Sequence, residues 1–470
     1  MACQPFVIRT TSYRHFAKRT SRLDCQQRKP RLQHRNACIC SQRDEDYSVD
    51  VAVIGSGIIG LAISHVLLRL EGHRVALIDA SNNLFSGATG AGQGYIWLAH
   101  RDPQSPAWEL AWRSKELWRE LTSPAGPLQD CYWQAKGSVL LATDSAEAEA
   151  LRARAALLNA SGIQAEVLEP AQAVSLEPAL RLPSDGAAVL VGSDAQLDGR
   201  QAALRLLSEC QSLGKKPGNE FHALFGEAVE SLCEDSGGRV TGVRTSSGVT
   251  VRASRGTVVA AGAWTGRLLS EWLGDERWER AIGPRFGQLL ELKPPPGMAE
   301  LRSGLMESCY AKHYAEPSLA RGPRHVPEGG CDITFTATTG AAGELLVGSS
   351  REFSGDDPTR LEVSARILER AAQFLPSLEG AAAAAQRAAK AGETQWIGGA
   401  VRAGPRPWAA RGLPHIGPVE GRRGLYIAAG HEGSGLTLAP VTAEMMLGHL
   451  TGTRPSLSAE AIESLRPGRR

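Results

Sequence analysis

The stretch Val49 to Ala80, VDVAVIGSGIIGLAISHVLLRLEGHRVALIDA, constrains the fold more than any other part of the chain. The β-branched run Val49 to Ile54 predicts a strand, the apolar pattern from Ile58 to about Arg69 a helix, and Arg74 to Ile78 a second strand ending at Asp79. Glycines at 55, 57 and 60 occupy the turn and the start of the helix. Gly55 permits the tight turn, Gly57 lets the backbone come against a pyrophosphate, and Gly60 lets the helix lie close on the strand. The helix start, at Ile58 and Ile59, offers unpaired N–H groups and the positive end of its dipole to phosphate. Asp79, followed by Ala80, sets a carboxylate where ribose hydroxyls can donate and where a 2'-phosphate would be repelled. The unit predicts a dinucleotide site and serves FAD and NAD alike.

A chain of 470 residues has room for two domains with a sizeable core, and its 42% apolar content is that of a globular protein. The formal net charge of +2 gives no overall field that would draw nucleic acid. That charge is unevenly spread: Arg9, Arg14, Lys18, Arg19, Arg22, Arg28, Lys29, Arg31 and Arg35 face Asp24 alone, and acids return at Asp44, Glu45 and Asp46. An arginine-rich, acid-poor start without an apolar signal core predicts an organelle transit segment over residues 1–46, disordered in itself. The stretch NACICS resembles a plastid processing site, so a chloroplast is expected, with the mitochondrion as the alternative. Cys3, Cys25, Cys38 and Cys40 fall in this segment, and Cys131, Cys210, Cys233, Cys309 and Cys331 are scattered singly without a CxxC, which suggests neither a metal site nor a disulfide framework. The apolar run Val51 to Leu70 is broken by Ser56, Ser64, His65 and Arg69, so no transmembrane segment is expected.

Further along, SGATGAGQGYIW (Ser86 to Trp97) sets Ala88, Thr89, Gln93 and Gly94 in a glycine-dense loop able to approach a flat ring. Ser105 caps a predicted helix with Pro106 at its first position, whose tryptophans at 108, 112 and 118 read as a buried stripe. A strand near Gly137 to Thr143 and a helix from Ser145 to Asn159 follow. Gly238 to Gly266 shows three short β-rich runs separated by Ser-Ser-Gly and Ser-Arg-Gly turns, ending in the small residues before Trp264. Gly343 to Phe353 predicts a strand, Thr359 to Phe374 a helix, and the alanine-rich Leu378 to Gly392 a surface helix. Near the end, GLYIAAGHEGSGLTLAP predicts a second strand, glycine turn and helix, with Gly430, Gly433 and Gly435 in the turn. A helix end there would stabilise negative charge on a reduced flavin, a reason for the second turn that NAD does not supply. Arg406 stands between Pro405 and Pro407, which keeps it out of ordinary secondary structure. It is either a solvated loop residue or a guanidinium pre-set to bind a planar carboxylate through paired hydrogen bonds.

Taken in order, VAVIGSGIIGLA, GATGAGQGYIW, TVVAAGAW, PRFGQ (Pro284 to Gln288), LLVGSS, GPRPWAARGLPHIG and GLYIAAGHEGSGLT resemble the D-amino-acid oxidase and dehydrogenase superfamily of FAD enzymes, which includes glycine oxidase, sarcosine oxidase and bacterial D-amino-acid dehydrogenase. The resemblance implies an α/β fold: a Rossmann-like FAD-binding domain of the glutathione-reductase type, over 47–120, 180–272 and 400–455, with an α+β substrate domain of mixed or antiparallel sheet over 121–179 and 273–399 and a tail at 456–470. It implies noncovalent FAD, since no cysteine aligns with the attachment site of sarcosine oxidases. The expected FAD residues are Gly55, Gly57, Ile58, Ile59, Gly60, Asp79, Ala80, Ala88, Thr89, Gln93, Gly94, Val229 on the adenine side, Gly262, Trp264, Gly430, Gly433, Gly435, Leu436 and Thr437. Arg406 takes the place of the family arginine that binds the substrate carboxylate.

The implied chemistry is hydride transfer from the α-carbon of a small amino acid or N-substituted glycine to flavin N5, with oxygen or a quinone as the electron acceptor. His431 is either a proton carrier or a packing residue. CDITFT, from Cys331, lacks the tyrosine that several amino-acid oxidases place over substrate, and neither Tyr310 nor Tyr314 is assigned in its stead. Two alternatives stand beside the amine oxidoreductase: a 2-hydroxy-acid oxidoreductase, for which His431 would be the proton acceptor, and an FAD-bearing assembly factor for an organellar electron-transport complex.

Overall fold

A computed structural model describes residues 46–70, 72–103, 105–310, 331–353, 359–394 and 398–468. The transit segment, apart from Asp46, and Tyr314 lie outside the described residues. Two eight-stranded sheets carry the fold. The first contains β1 (Tyr47–Ile54), β2 (Arg74–Asp79), β8 (Glu220–Phe225), β9 (Val229–Glu234), β10 (Val240–Thr245), β11 (Thr250–Val259), β17 (His415–Pro418) and β18 (Leu425–Ala429). Its centre, β18-β11-β1-β2-β8, is parallel, and β9, β10 and β17 join antiparallel. β1, β2 and the helix Ile58–Leu68 between them form the strand-turn-helix-strand unit expected from the glycine motif. Parallel strands are covered on both faces, and β1 is accordingly buried from Val51 to Ile54.

The second sheet runs β16-β12-β15-β14-β13-β4-β6-β5, with β4 (Ser138–Ala142), β5 (Glu166–Leu168), β6 (Ala187–Val191), β12 (Ile282–Leu292), β13 (Gly304–Glu307), β14 (Asp332–Thr339), β15 (Leu345–Arg351) and β16 (Gly399–Ala409). All its pairs are antiparallel except β13 with β4. A short ribbon, β3 (Tyr95–Ile96) with β7 (Ala195–Gln196), completes the described strands.

Sheet membership corrects the expected partition at two points. β6 lies in the second sheet although 180–272 was grouped with the first, because Ala187–Val191 completes the β4 ladder. β16 also belongs there, so Arg406 sits on a strand of the second sheet and not in the region 400–455 assigned to the first. The prolines do not exclude Arg406 from a ladder. Phe286 exchanges both backbone hydrogen bonds with Glu352, so the alternate residues of β12, Arg285 and Gly287, face β16. Pro405 and Pro407 thus occupy positions that need no N–H on an edge strand, where a sheet tolerates them.

Two smaller expectations also change. Ser254-Arg255-Gly256 does not turn: β11 runs through it, and a register shift against β1 between Val49 and Val51 absorbs the irregularity. The alanine-rich helix, Glu379–Lys390, is more than surface, since Ala382 and Ala385 enter the core between the second sheet and the helix Leu361–Phe374.

Ser105 caps the helix Pro106–Leu121 by accepting from the Trp108 N–H, and Trp108 and Trp118 are buried in the core that also takes the helices Ile58–Leu68 and Gly435–Thr451. Among the described residues no helix is long and apolar enough to cross a membrane.

Candidate active site

At the glycine turn, Gly55 has φ +107°, and a Cβ there would strike the Ala260 carbonyl. A Cβ on Gly60 would strike the Gly55 carbonyl oxygen, so its glycine is demanded by the chain's own packing. Gly57 differs. Its backbone suits any residue (φ −66°, ψ 174°), and among the described residues a Cβ there would find only Thr89 Oγ1, at 3.5 Å. The space before Gly57 is the cradle a pyrophosphate needs, at the start of an eleven-residue helix whose N-cap, Gly57, brings no capping side chain of its own. Thr89 Oγ1 accepts from the Ile58 N–H at 3.0 Å, while Ile59 follows in the same first turn.

Asp79 is already engaged: Oδ2 accepts from the N–H and hydroxyl of Ser56, each at 2.7 Å, and Oδ1 accepts from the Ser81 N–H at 2.8 Å. Its carboxylate thus fixes the glycine turn. Ala80 is exposed beside it. The Glu227 N–H donates to the Asp79 carbonyl at 2.9 Å, bringing Val229, at the start of β9, toward this end. Gly262 has φ +56°, and the Trp264 ring lies 3.6 Å from where a Gly87 Cβ would be.

The two other glycine segments meet each other. Ala88 opens the short helix Ala88–Ala91, and Gly94 has φ +99° against the Leu197 carbonyl. Gln93 Nε2 donates to the Leu346 carbonyl of β15 at 3.2 Å, and Thr437 Oγ1 donates to the Tyr95 carbonyl at 2.9 Å. Trp118 Nε1 donates to the Leu436 carbonyl at 3.0 Å. Gly430, at φ +84°, begins a turn through Gly433 into the helix Gly435–Thr451. Residues from opposite ends of the sequence are therefore held against one another, next to β15 of the second sheet.

His431 is buried, and its Nε2 shares a hydrogen with Thr442 Oγ1 at 3.0 Å. Burial pushes its pKa down to about 3, so the ring is neutral at ordinary pH. The geometry favours the packing reading of this residue over the proton carrier.

Arg406 shares its face of β16 with Gly404, whose absent side chain would point at Ala91 and the Gly87 carbonyl. The guanidinium therefore stands on the side of the sheet that carries the glycine loop. Nη1 donates to the Ser350 carbonyl at 2.9 Å, and among the described residues no acceptor takes Nε or Nη2. A Cβ on Gly287 would collide with Nη1, so glycine there makes the room.

Three neighbours went unassigned from sequence alone. Arg285 is cross-strand to Arg406, and its Nη1 donates to Glu432 Oε1 at 3.2 Å. The Arg351 guanidinium lies 4.1 Å from the centroid of the half-buried Tyr310 ring and 3.4 Å from Asp332. Glu432, at φ +47°, has its pKa lowered: burial works against its charge, but Arg285, Arg351 and Arg406 outweigh it. PRFGQ and GHEGSG both marked the neighbourhood, but only the ladder register puts Arg285 beside Arg406.

Known proteins agree with this architecture. The family described as "DAO: FAD dependent oxidoreductase" matches residues 50–447. A glycine oxidase of Geobacillus kaustophilus (strain HTA426) is 27% identical over 398 residues, spanning 84% of this chain and 90% of its own. A D-amino acid dehydrogenase of Methylobacterium sp. (strain 4-46) is 26% identical over 470 residues, 88% and 98% of the two chains. The crystal structure of glycine oxidase from Geobacillus kaustophilus shares the fold, with a TM-score of 0.70 at 24% identity over 90% of this chain and 100% of that one. The room before Gly57, at a helix start, fits the pyrophosphate of a dinucleotide. The chain belongs to the DAO family of FAD-dependent oxidoreductases, and FAD is its cofactor.

Proposed function

We propose that the chain oxidises the CH–NH bond of a small amino acid or N-substituted glycine. The observation that carries this reading is Arg406: a guanidinium on the loop-facing side of β16, tied at Nη1 to Ser350 and without a described acceptor for Nε and Nη2. That is the fork a carboxylate takes in two parallel hydrogen bonds. The cradle of Gly55, Gly57, Ile58, Ile59 and Gly60, with Asp79 beyond it, supports a noncovalent dinucleotide there. The segments around Gln93 and Thr437 support a ring between the sheets.

FAD, when bound, supplies the two-electron acceptor at flavin N5. The chain's part is to fix the carboxylate at Arg406 so that the α-carbon is presented in one orientation. The α-hydrogen leaves as hydride, the nitrogen gives its proton to solvent, and water hydrolyses the resulting imine to a 2-oxo acid and the free amine. No strong protein base is needed for an amine that arrives neutral. Oxidising a 2-hydroxy acid would require an acceptor for the hydroxyl proton, and His431, with a pKa of about 3 and Nε2 held by Thr442, is unsuited to it. Arg406 also supports an enzyme over an assembly factor, which has no need of a carboxylate clamp.

Arg406→Ala should retain bound FAD and raise KM for carboxylate substrates by about a hundredfold, the loss of two charge-assisted hydrogen bonds. Steady-state kinetics on the FAD-loaded protein decide it: an unchanged KM removes the clamp and the reading built on it.

A further inference from the structure

The strand pair that holds the half-buried Arg406 holds a second cation, this one buried, on the same face. Arg285 stands directly opposite Arg406 in the β12–β16 ladder, so both side chains leave the sheet on one face. It is only 7% exposed. Glu432 takes one of its five N–H groups, and Phe353 lies under the guanidinium at 5.0 Å, yet among the described residues the buried Nε has no hydrogen-bond partner. An unpaired buried N–H on a charged group is costly, and like charges set opposite each other across a ladder repel. Burial foremost, then Arg351 and Arg406, weaken the hold of Arg285 on its proton, with Glu432 and Asp332 opposing them.

We propose that Arg285 is a specificity-determining residue that receives a second carboxylate, so that the preferred substrates are amines bearing two acids, either acidic amino acids or N-carboxymethyl amino acids. The inference rests on the amine-oxidising reading for its chemistry, but not for its geometry. Hydrogen-bonded cross-strand residues have Cα atoms about 5.5 Å apart. Two carboxyl carbons separated by four bonds, as in glutamate or iminodiacetate, reach across a gap of that order. Glu432 is then a positioning residue: it occupies the far arm of the Arg285 fork and leaves Nε for the ligand.

The test uses the FAD-loaded protein and matched pairs that differ by one charge. D-glutamate is compared with D-glutamine, and iminodiacetate with N-ethylglycine, by anaerobic loss of flavin absorbance. Glutarate is compared with butyrate by perturbation of the flavin spectrum, which needs no turnover. The acidic member of each pair should be favoured at least about tenfold, the worth of one charge-assisted hydrogen bond. Arg285→Gln should collapse the ratio toward one, and Arg285→Lys should keep part of it. Pairs that differ less than twofold in the wild type, or a ratio that survives in Arg285→Gln, overturn the proposal. Glutarate favoured while no amine bleaches the flavin would uphold the second anion site and overturn the amine reading. Amines that bleach without charge preference would do the reverse.

Discussion

Arg406 and Gly287 are legible in the sequence to different degrees for one physical reason. An arginine between two prolines advertises a fixed position, whereas the glycine that makes room for its guanidinium is revealed only by the register that sets β12 beside β16. Arg285 and Glu432 were hidden likewise, since their roles arise from contacts across 147 residues of sequence. His431 was visible, but its burial was not. Burial lowers the pKa of His65 to about 4, with Arg69 adding to it, and that of His415 to about 3, with Arg411 and His431 adding. Burial alone takes His431 to about 3. Each folded value lies below the unfolded one, so the unfolded chain binds more protons between them. Stability is therefore complete above about pH 6.5 and is lost as pH falls toward 4 and 3, by up to about 1.4 kcal/mol per pH unit for each histidine. Urea unfolding between pH 7 and 4 should show this slope, and His431→Gln should flatten it; an unaltered slope would mean that His431 gains solvent in the folded protein.

At the scale of elements, local pattern was most reliable where one element carried its own signals. The cap at Ser105 with Pro106, and the strands flanking the first glycine turn, were readable because propensity and period agree there. β16 is not legible as a strand because proline's cost depends on whether a strand is central or at an edge, a property of the sheet and not of the segment. The joint between elements was also invisible. Asp194, fully buried, accepts from the N–H groups of Leu98 and Ala99 at 2.9 and 3.1 Å, from Ser138 Oγ at 2.8 Å and from Lys115 Nζ at 2.9 Å. One carboxylate thereby ties the end of the glycine loop to the helix Pro106–Leu121 and to β4 of the second sheet. Asp194→Ala strands a buried ammonium and two N–H groups, and should cost about 3–5 kcal/mol of unfolding free energy. Denaturant titration reads it directly, and a loss below about 1 kcal/mol would show that solvent reaches the site and that the tie is dispensable.

Across the whole molecule, the proposed cofactor site draws on chain segments far apart in sequence: the turn at Gly55 to Gly60, the single helical turn at Gly262 and the helix start at Gly435. Sequence order suggested this return, because two glycine turns at opposite ends serve no purpose apart. The interleaving of β6 and β16 into the other sheet could not be read, since pairing partners carry no local mark. Folding and cofactor binding are then separable demands on the same motif, and the glycines divide between them. Gly60 serves the fold, as any side chain there strikes the Gly55 carbonyl; a Cβ at Gly57 meets Thr89 Oγ1 at no less than contact distance, on a backbone any residue can adopt. Gly57→Leu should therefore leave the melting temperature of the FAD-free protein within about 2 °C of wild type, a change under about 1 kcal/mol. It should abolish the rise that FAD gives the wild type, about 2.7 kcal/mol at a hundredfold excess over Kd. Gly60→Leu should fail earlier, lowering the melting temperature without any cofactor present. Were Gly57→Leu to melt early in the absence of FAD, the cradle would be part of the packing, and the space in front of Gly57 would lose its claim to the pyrophosphate.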